Sequence, residues 1–555
     1  MSEVFKKIVA VGILIHIILL ANFLLFLQYF QQDEWHGFGI ILSYGTKYIT
    51  VDKTLVELLL GDRIGARIIT FGLFNLFELN TLPYGAFGFT FHVANAFLIF
   101  LLTKKLTKNL LISTLASFLF LINELGHEAY SWFGTMTGSS TSVFFLLLSL
   151  IFFLKFIDNG KVKLVLLSTF LLWVSFLFKE IGAFAFVFYP VLFSIYSLKR
   201  TGIKILLKKH LTLIILGLIM LSFFIKTVLF IPGDRANYVN TGSSLIPNIA
   251  MHSIQYPLEG IVQLIIPNFY LFKLSDITTR IVNPNLPSDS LGFLIASQNS
   301  NAEITILLLL VAFAILIFWL MRKLKFSSNS LKALKASIIL AALSFLPYVV
   351  INSSFSYLDS RYYYAGSIGV AIFLAVLIFN LLSSNKRVFK IIAVFVLFLY
   401  VFIHESTLFS DLKLMADRSK ERQNFLKQVE NLVPVLPKKT VFFITGNSEG
   451  YYGLPELKTP FQSGLGHVLM VKYTTKRELN PDFFKEATFA KALDVGFLYD
   501  TLGQGYRQKD GKGFGYYYDK LELNKAIGQN LFDKDDVIYL YYNSETKKLE
   551  RKDFK

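Results

Sequence analysis

Long apolar runs alternate with short polar stretches up to about residue 405. The runs fall near 8–30, 86–103, 109–123, 137–157, 164–178, 181–197, 211–231, 303–321, 336–352, 365–383 and 388–404. A helix rises ~1.5 Å per residue, so most of these are long enough to cross a bilayer. The pattern predicts an α-helical multi-pass membrane protein of about eleven transmembrane helices.

The polar stretches differ by parity. One set is short and basic: Lys104, Lys105 and Lys108; Lys155, Lys161 and Lys163; Lys199, Arg200, Lys204, Lys208 and Lys209; Arg322, Lys323, Lys325, Lys332 and Lys335; Lys386, Arg387 and Lys390. With Lys6 and Lys7 these mark the cytoplasmic side. The other set is poor in Lys and Arg and contains two long loops, 31–85 and 232–302. The first run reads as a signal-anchor helix, because it is longer than the apolar core of a cleavable signal. The run 164–197 is broken only by Lys179 and Glu180. Folded as a tight hairpin it keeps the basic loops on both flanks inside and puts that pair at an outer turn. Runs 109–123 and 164–178 offer only about fifteen apolar positions each, against roughly twenty for a full crossing. Their outer ends are therefore expected to stop below the outer surface, sinking Glu124, His127, Glu128, Lys179 and Glu180 into a recess. Tilt or bilayer thinning is the plain alternative.

Beyond residue 405 the pattern changes. Residues 411–432 read as an amphipathic helix ended by Pro434 and Pro437, and 439–445 and 537–542 read as strands. The expected organisation is a transmembrane domain over 1–405 and a small extracytoplasmic α/β domain over 406–555.

Composition agrees. The 555 residues are 54% hydrophobic and only 17% charged, more apolar than a soluble domain can cover with polar surface. The net charge of +17 would suggest nucleic acid in a soluble protein, but here the basic residues sit in cytoplasmic loops. The chain has no cysteine, which excludes disulfides, thiol nucleophiles and cysteine metal sites. The chain is expected in the plasma membrane, N-terminus inside.

Residues able to do chemistry gather on the outer side. Asp33 and Glu34 follow the first run. A carboxylate pair can abstract a proton, bind a metal or orient a hydroxyl, though acidic residues also commonly open a solvated loop. Arg63 and Arg67 share a loop and can fork onto a lipid phosphate, or can simply snorkel from an interfacial helix. Glu124, His127 and Glu128 are dense for a short turn, yet match no closed metal motif. Lys179 and Glu180 stand between apolar helices, where ionisable groups are costly unless paired or used. Arg361 precedes three tyrosines (362–364), which by themselves suit an aromatic interfacial belt. The inner loops offer lysines and little else, and one-sided chemistry fits that distribution better than two-sided transport.

These pieces, in this order through residues 1–405, resemble the GT-C superfamily of membrane glycosyltransferases, within it the protein O-mannosyltransferase-like branch. The matching pieces are the acidic pair Asp33–Glu34, a first-loop arginine ahead of PYGAFGFTFHVANAFLIFLL (83–102), HEAYSWFGTMTG (127–138), FKEIGAF (178–184) and DSRYYYAG (359–366). The chain lacks the tetratricopeptide tail of one set of relatives, and nothing in it reads as the inserted β-trefoil of the eukaryotic mannosyltransferases. The resemblance implies a polyprenyl-phosphate-sugar donor used from the outer leaflet, with inversion at the anomeric carbon. It implies Asp33 as base with Glu34 orienting it, and Arg361 on the lipid phosphate, helped by Lys179, Arg63 or Arg67. His127, Glu128, Glu124, Glu180 and Tyr362 would then meet sugar or acceptor. Arg235 and His252, in the loop 232–302, would cover the site. Some members of the superfamily need a divalent ion and others do not, so no cofactor is assigned. The acceptor, whether protein, lipid or glycan, stays open. A transporter or flippase for lipid-linked glycans and a non-catalytic membrane scaffold are the competing readings. A flippase would carry polar residues through its helix centres, where these runs are nearly pure Leu, Ile, Phe and Val.

Overall fold

A computed structural model describes residues 23–31, 33–50, 54, 58, 63–197, 245–349, 358–451, 458–461, 465–478, 504–509, 512–517, 519–530 and 532–554. Most of the first expected span, the span at 211–231 and Arg235 lie outside the described residues, as does the Asp33 side chain.

The main helices, in chain order, are α1 (Asp33–Tyr44), α2 (Ile64–Phe77), α3 (Leu82–Thr107), α4 (Leu110–Leu121), α5 (Phe133–Asn159), α6 (Val162–Phe178) and α7 (Ala185–Ser197). They continue with α8 (Leu245–Ile265), α9 (Asn268–Val282), α10 (Ser300–Lys323), α11 (Ser328–Leu343), α12 (Tyr364–Leu382) and α13 (Arg387–Leu432). Among the described residues, six helical segments are long and apolar enough to cross a membrane. The apolar surface of α10 (Leu307, Leu308, Val311, Ile315, Phe318) and of α13 (Ile391, Val394, Phe395, Phe398, Phe402) is exposed. A row of such side chains on one helix suits lipid better than water.

Local chemistry sets several boundaries. The Asn109 side chain accepts from the backbone N–H groups of Leu111 and Ile112 and starts α4. Gly160, at φ 66°, ends α5 in the left-handed conformation. The apolar run 164–197 breaks where expected: α6 stops at Phe178 and a 3-10 turn, Glu180–Phe184, precedes α7. Two of the sequence-level boundaries shift. The long loops hold helices, α1 and α2 in the first and α8 and α9 in the second. The last apolar run and the amphipathic segment form one unbroken helix, α13, because residues 405–411 contain neither Gly nor Pro to end it.

The chain divides into two compact units. The first comprises Met1–Phe23, Leu55–Ala66 and Ala86–Asp411. Small residues hold its helices close. Ser142 and Ser175 share a hydroxyl bond of 2.9 Å between α5 and α6, and Ser149 and Ser168 another of 3.1 Å. Hydroxyls paired this way satisfy themselves inside an apolar bundle. On α12, a Cβ at Gly369 would lie 2.5 Å from the Ala341 nitrogen and the Ser337 carbonyl oxygen of α11, so only glycine permits that approach.

The second unit comprises Leu24–Thr54, Arg67–Gly85 and Leu412–Lys555. The C-terminal segment therefore shares its unit with pieces of the first long loop. The Tyr29 N–H donates to Ser419 Oγ at 2.9 Å, and Arg422 donates to the Phe30 carbonyl at 3.2 Å, which ties the early segment to α13. Phe30, Trp35, Phe38, Phe74 and Tyr84 pack ring on ring beside it. The sheet has five strands, β1 (Lys439–Gly446), β2 (Gln504–Lys509), β3 (Lys512–Tyr517), β4 (Val537–Asn543) and β5 (Lys548–Lys552), in the order β2-β3-β1-β4-β5. Central β1 runs parallel to β3 and β4, and the edge strands are antiparallel. Its run VFFI is buried on both faces, as a covered central strand requires. Phe442 stacks on Tyr473 of the helix Leu465–Thr475, while Phe443 joins Leu523 and Ala526 of Lys520–Gly528, so helices cover opposite faces.

Candidate active site

Three turns of the first unit build one charged site. The turn after α4 carries Glu124, His127 and Glu128. Gly126 sits at φ +106°, and a Cβ there would meet Tyr364 Cα at 2.9 Å, so glycine lets this turn lie directly on the start of α12. The Gly126 N–H donates to Ser360 Oγ at 3.1 Å, and the same hydroxyl lies 3.2 Å from His127 Nδ1. That docking brings Glu128 within 3.6 Å of Arg361. Arg361 also donates to Asp359 at 2.5 Å and lies 5.0 Å from the rings of Trp132 and Tyr362.

The third turn follows α6. The small, hydroxylated start of α5 receives it: Ser142 Oγ donates to the Lys179 carbonyl at 2.9 Å, and Lys179 Nζ donates to Ser139 Oγ at 2.7 Å. Lys179 Nζ lies 5.7 Å from the Tyr362 ring. Glu180 does not simply offset its neighbour. It takes the Arg63 guanidinium in a fork, with contacts of 3.0 and 2.7 Å. Burial, with Arg63 and Arg361 nearby, brings the Lys179 ammonium down to about 7. Burial and the Asp411 carboxylate push the Glu124 carboxyl well above the ordinary range.

The structure thus gathers Arg63, Glu128, Lys179, Glu180, Arg361 and Tyr362 from four separated stretches, with Glu124 and His127 on the adjoining side of the same turn. Arg67 goes elsewhere: it belongs to the second unit and donates to the Ile49 carbonyl at 3.1 Å. Arg63 precedes α2, and Arg67 lies within it. Asp33 and Glu34 also belong to the second unit. Asp33 opens α1, and buried Glu34 accepts the Gln31 N–H at 3.2 Å, as a first-turn acid does. His252 packs on Tyr256, and its Nδ1 lies 3.1 Å from the Val349 carbonyl.

Some participants escape sequence reading. Asp411 joins Glu124 and His127, with one ligand atom of each within 4.8 Å of the others. His404 accepts the Glu124 N–H at 3.2 Å. Both lie on α13, His404 at the end of the last apolar run and Asp411 at the start of the segment that reads as amphipathic. Trp132 stands inside HEAYSWFGTMTG (127–138) and Ser139 directly after it, but only the fold shows what they touch. No protein-family model matches the chain, and no curated protein matches it.

Proposed function

We propose that this protein is a membrane glycosyltransferase that moves a sugar from a polyprenyl-phosphate donor to an acceptor hydroxyl on the extracytoplasmic side, with inversion. The observation that carries the reading is the convergence of Arg63, Lys179 and Arg361, with their carboxylate partners and Tyr362, at one end of a bundle of apolar helices. A lipid phosphate is a leaving group that needs cations and a greasy approach, and an aromatic ring beside them suits the face of a sugar.

In this reading the acceptor oxygen attacks the anomeric carbon as the bond from that carbon to the phosphate oxygen breaks. The acceptor proton passes to the Asp33 carboxylate, which Glu34 helps to orient, and the electron pair leaves with the lipid phosphate. Arg361 and Lys179 receive that phosphate, assisted by Arg63. In the free protein these guanidiniums already face carboxylates, so the phosphate exchanges places with Glu128 or Asp359 at Arg361 and with Glu180 at Arg63. Freed carboxylates then meet sugar hydroxyls. Asp33 enters through the family resemblance; the cation cluster enters through geometry.

The test is sugar transfer from radiolabelled polyprenyl-phosphate sugar by the purified full chain. Asp33→Asn is expected to lower turnover by ~10²–10⁴-fold, the range of a positioned base. Arg361→Ala is expected to lower it by ~10²-fold or more. Transfer at the level of the unaltered protein in Asp33→Asn removes Asp33 as base. The same result in Arg361→Ala removes the phosphate site.

A further inference from the structure

Glu124, His127 and Asp411 form a cluster distinct in chemistry from the cations beside it. One ligand atom from each lies within 4.8 Å of the others, the right scale for three groups around one ion. Glu124 is almost wholly buried, at 6% exposure, and its Oε2 is buried without a hydrogen-bond partner. A carboxylate oxygen left that way is costly unless a cation or proton completes it. His127 Nδ1 lies 3.0 Å from the Glu124 backbone carbonyl. The same nitrogen lies 3.9 Å from Glu124 Oε1, which turns that edge of the ring toward the carboxylate.

The cluster is also held rigidly from behind. His404 accepts the Glu124 N–H, and Asn123 donates to the Leu264 carbonyl at 3.1 Å and the Tyr400 hydroxyl at 2.7 Å. The turn cannot easily swing Glu124 away from Asp411.

We propose that Glu124, His127 and Asp411 bind one divalent cation of the Zn²⁺ or Mn²⁺ class. One imidazole and two carboxylates neutralise a dication and suit such borderline ions better than Ca²⁺, which wants more oxygens. Three protein ligands leave a position open for water. The ion ties the turn after α4 to α13. Since Ser360 and Glu128 hang on that turn, it also steadies the position of Arg361. The proposal does not rest on glycosyl transfer, and its readout is metal content.

The full chain, purified in detergent without chelator and then stripped with EDTA, is titrated with ZnCl₂ and separately with MnCl₂. Bound metal is counted by mass spectrometry, and Tm is followed. About one equivalent of one ion per chain is expected, with a Tm several degrees higher. His127→Gln and Asp411→Asn, checked for folding by gel filtration, are each expected to hold less than about a tenth of an equivalent. Glu124→Gln serves if either variant fails to fold. If the unaltered protein binds neither ion, the two carboxyls share a proton instead and the proposal falls. It falls equally if the folded variants keep the ion.

Discussion

An ammonium that donates to Ser139 Oγ and stands near two guanidiniums is held close to its own titration point. The Lys179 value near 7 lies well below the 10.5 of a free lysine. Between those two values the unfolded chain binds the extra proton and the folded chain does not, so stability rises with pH across that window. Below about pH 7 the full cost of burying the charge is felt. Lys179→Met is expected to raise Tm at pH 6.5 and to flatten the climb between pH 7 and 9. Thermal unfolding in detergent, followed by tryptophan fluorescence, measures both. A climb of unchanged steepness in Lys179→Met would mean other groups produce it. Single residues also mark where sequence reading stops. Lys179 and Glu180 announce themselves, being charges inside an apolar run. That Glu180 belongs to Arg63, 117 residues earlier, has no local signature. Nor does the parting of Arg63 from Arg67, which depends on which turn each finds after folding.

At the scale of elements, the apolar runs marked α3 to α7 and α10 to α13, because burial or lipid contact leaves an unmistakable run, whereas α1, α2, α8 and α9 lie in stretches that read as loops. The runs located ends less well. The run 388–404 and the segment 411–432 look different in composition, yet a helix ends on backbone chemistry, not on hydropathy, and nothing between them breaks it. Close packing is similarly invisible until a partner is known. Gly369 on α12 reads as one small residue among aliphatics, whereas α11 leaves no room there for a Cβ. Gly369→Val is expected to cost about 1–3 kcal/mol by forcing α11 and α12 apart. Gly72 on α2 has nothing within 4 Å of its would-be Cβ. Gly72→Ala is expected to be neutral or to stabilise by about 0.5–1 kcal/mol, since it only restricts the unfolded chain and favours helix. Denaturation midpoints of the two variants, measured together, separate packing from intrinsic helix propensity.

For the whole molecule, sidedness is the property that turns a cluster of charges into a site for a particular leaflet. The described residues include enough long apolar helices to cross a membrane several times, and their exposed faces suit lipid. Which turns face outward rests on the distribution of lysine and arginine among the loops. The cysteine-free sequence makes that directly measurable, because any introduced thiol is the only one present. Asn385, in the basic turn between α12 and α13, and Glu545, between β4 and β5, are both exposed. If the basic loops are cytoplasmic, a membrane-impermeant maleimide applied to intact cells labels Glu545→Cys and spares Asn385→Cys, and permeabilised cells label both. The reverse pattern would put the Arg361 and Lys179 turns on the cytoplasmic side, since α12 carries the Tyr364 end opposite the Asn385 end. A polyprenyl-phosphate donor would then have to be used from the inner leaflet, and the phosphate-binding geometry would survive while the outward-facing reaction would not.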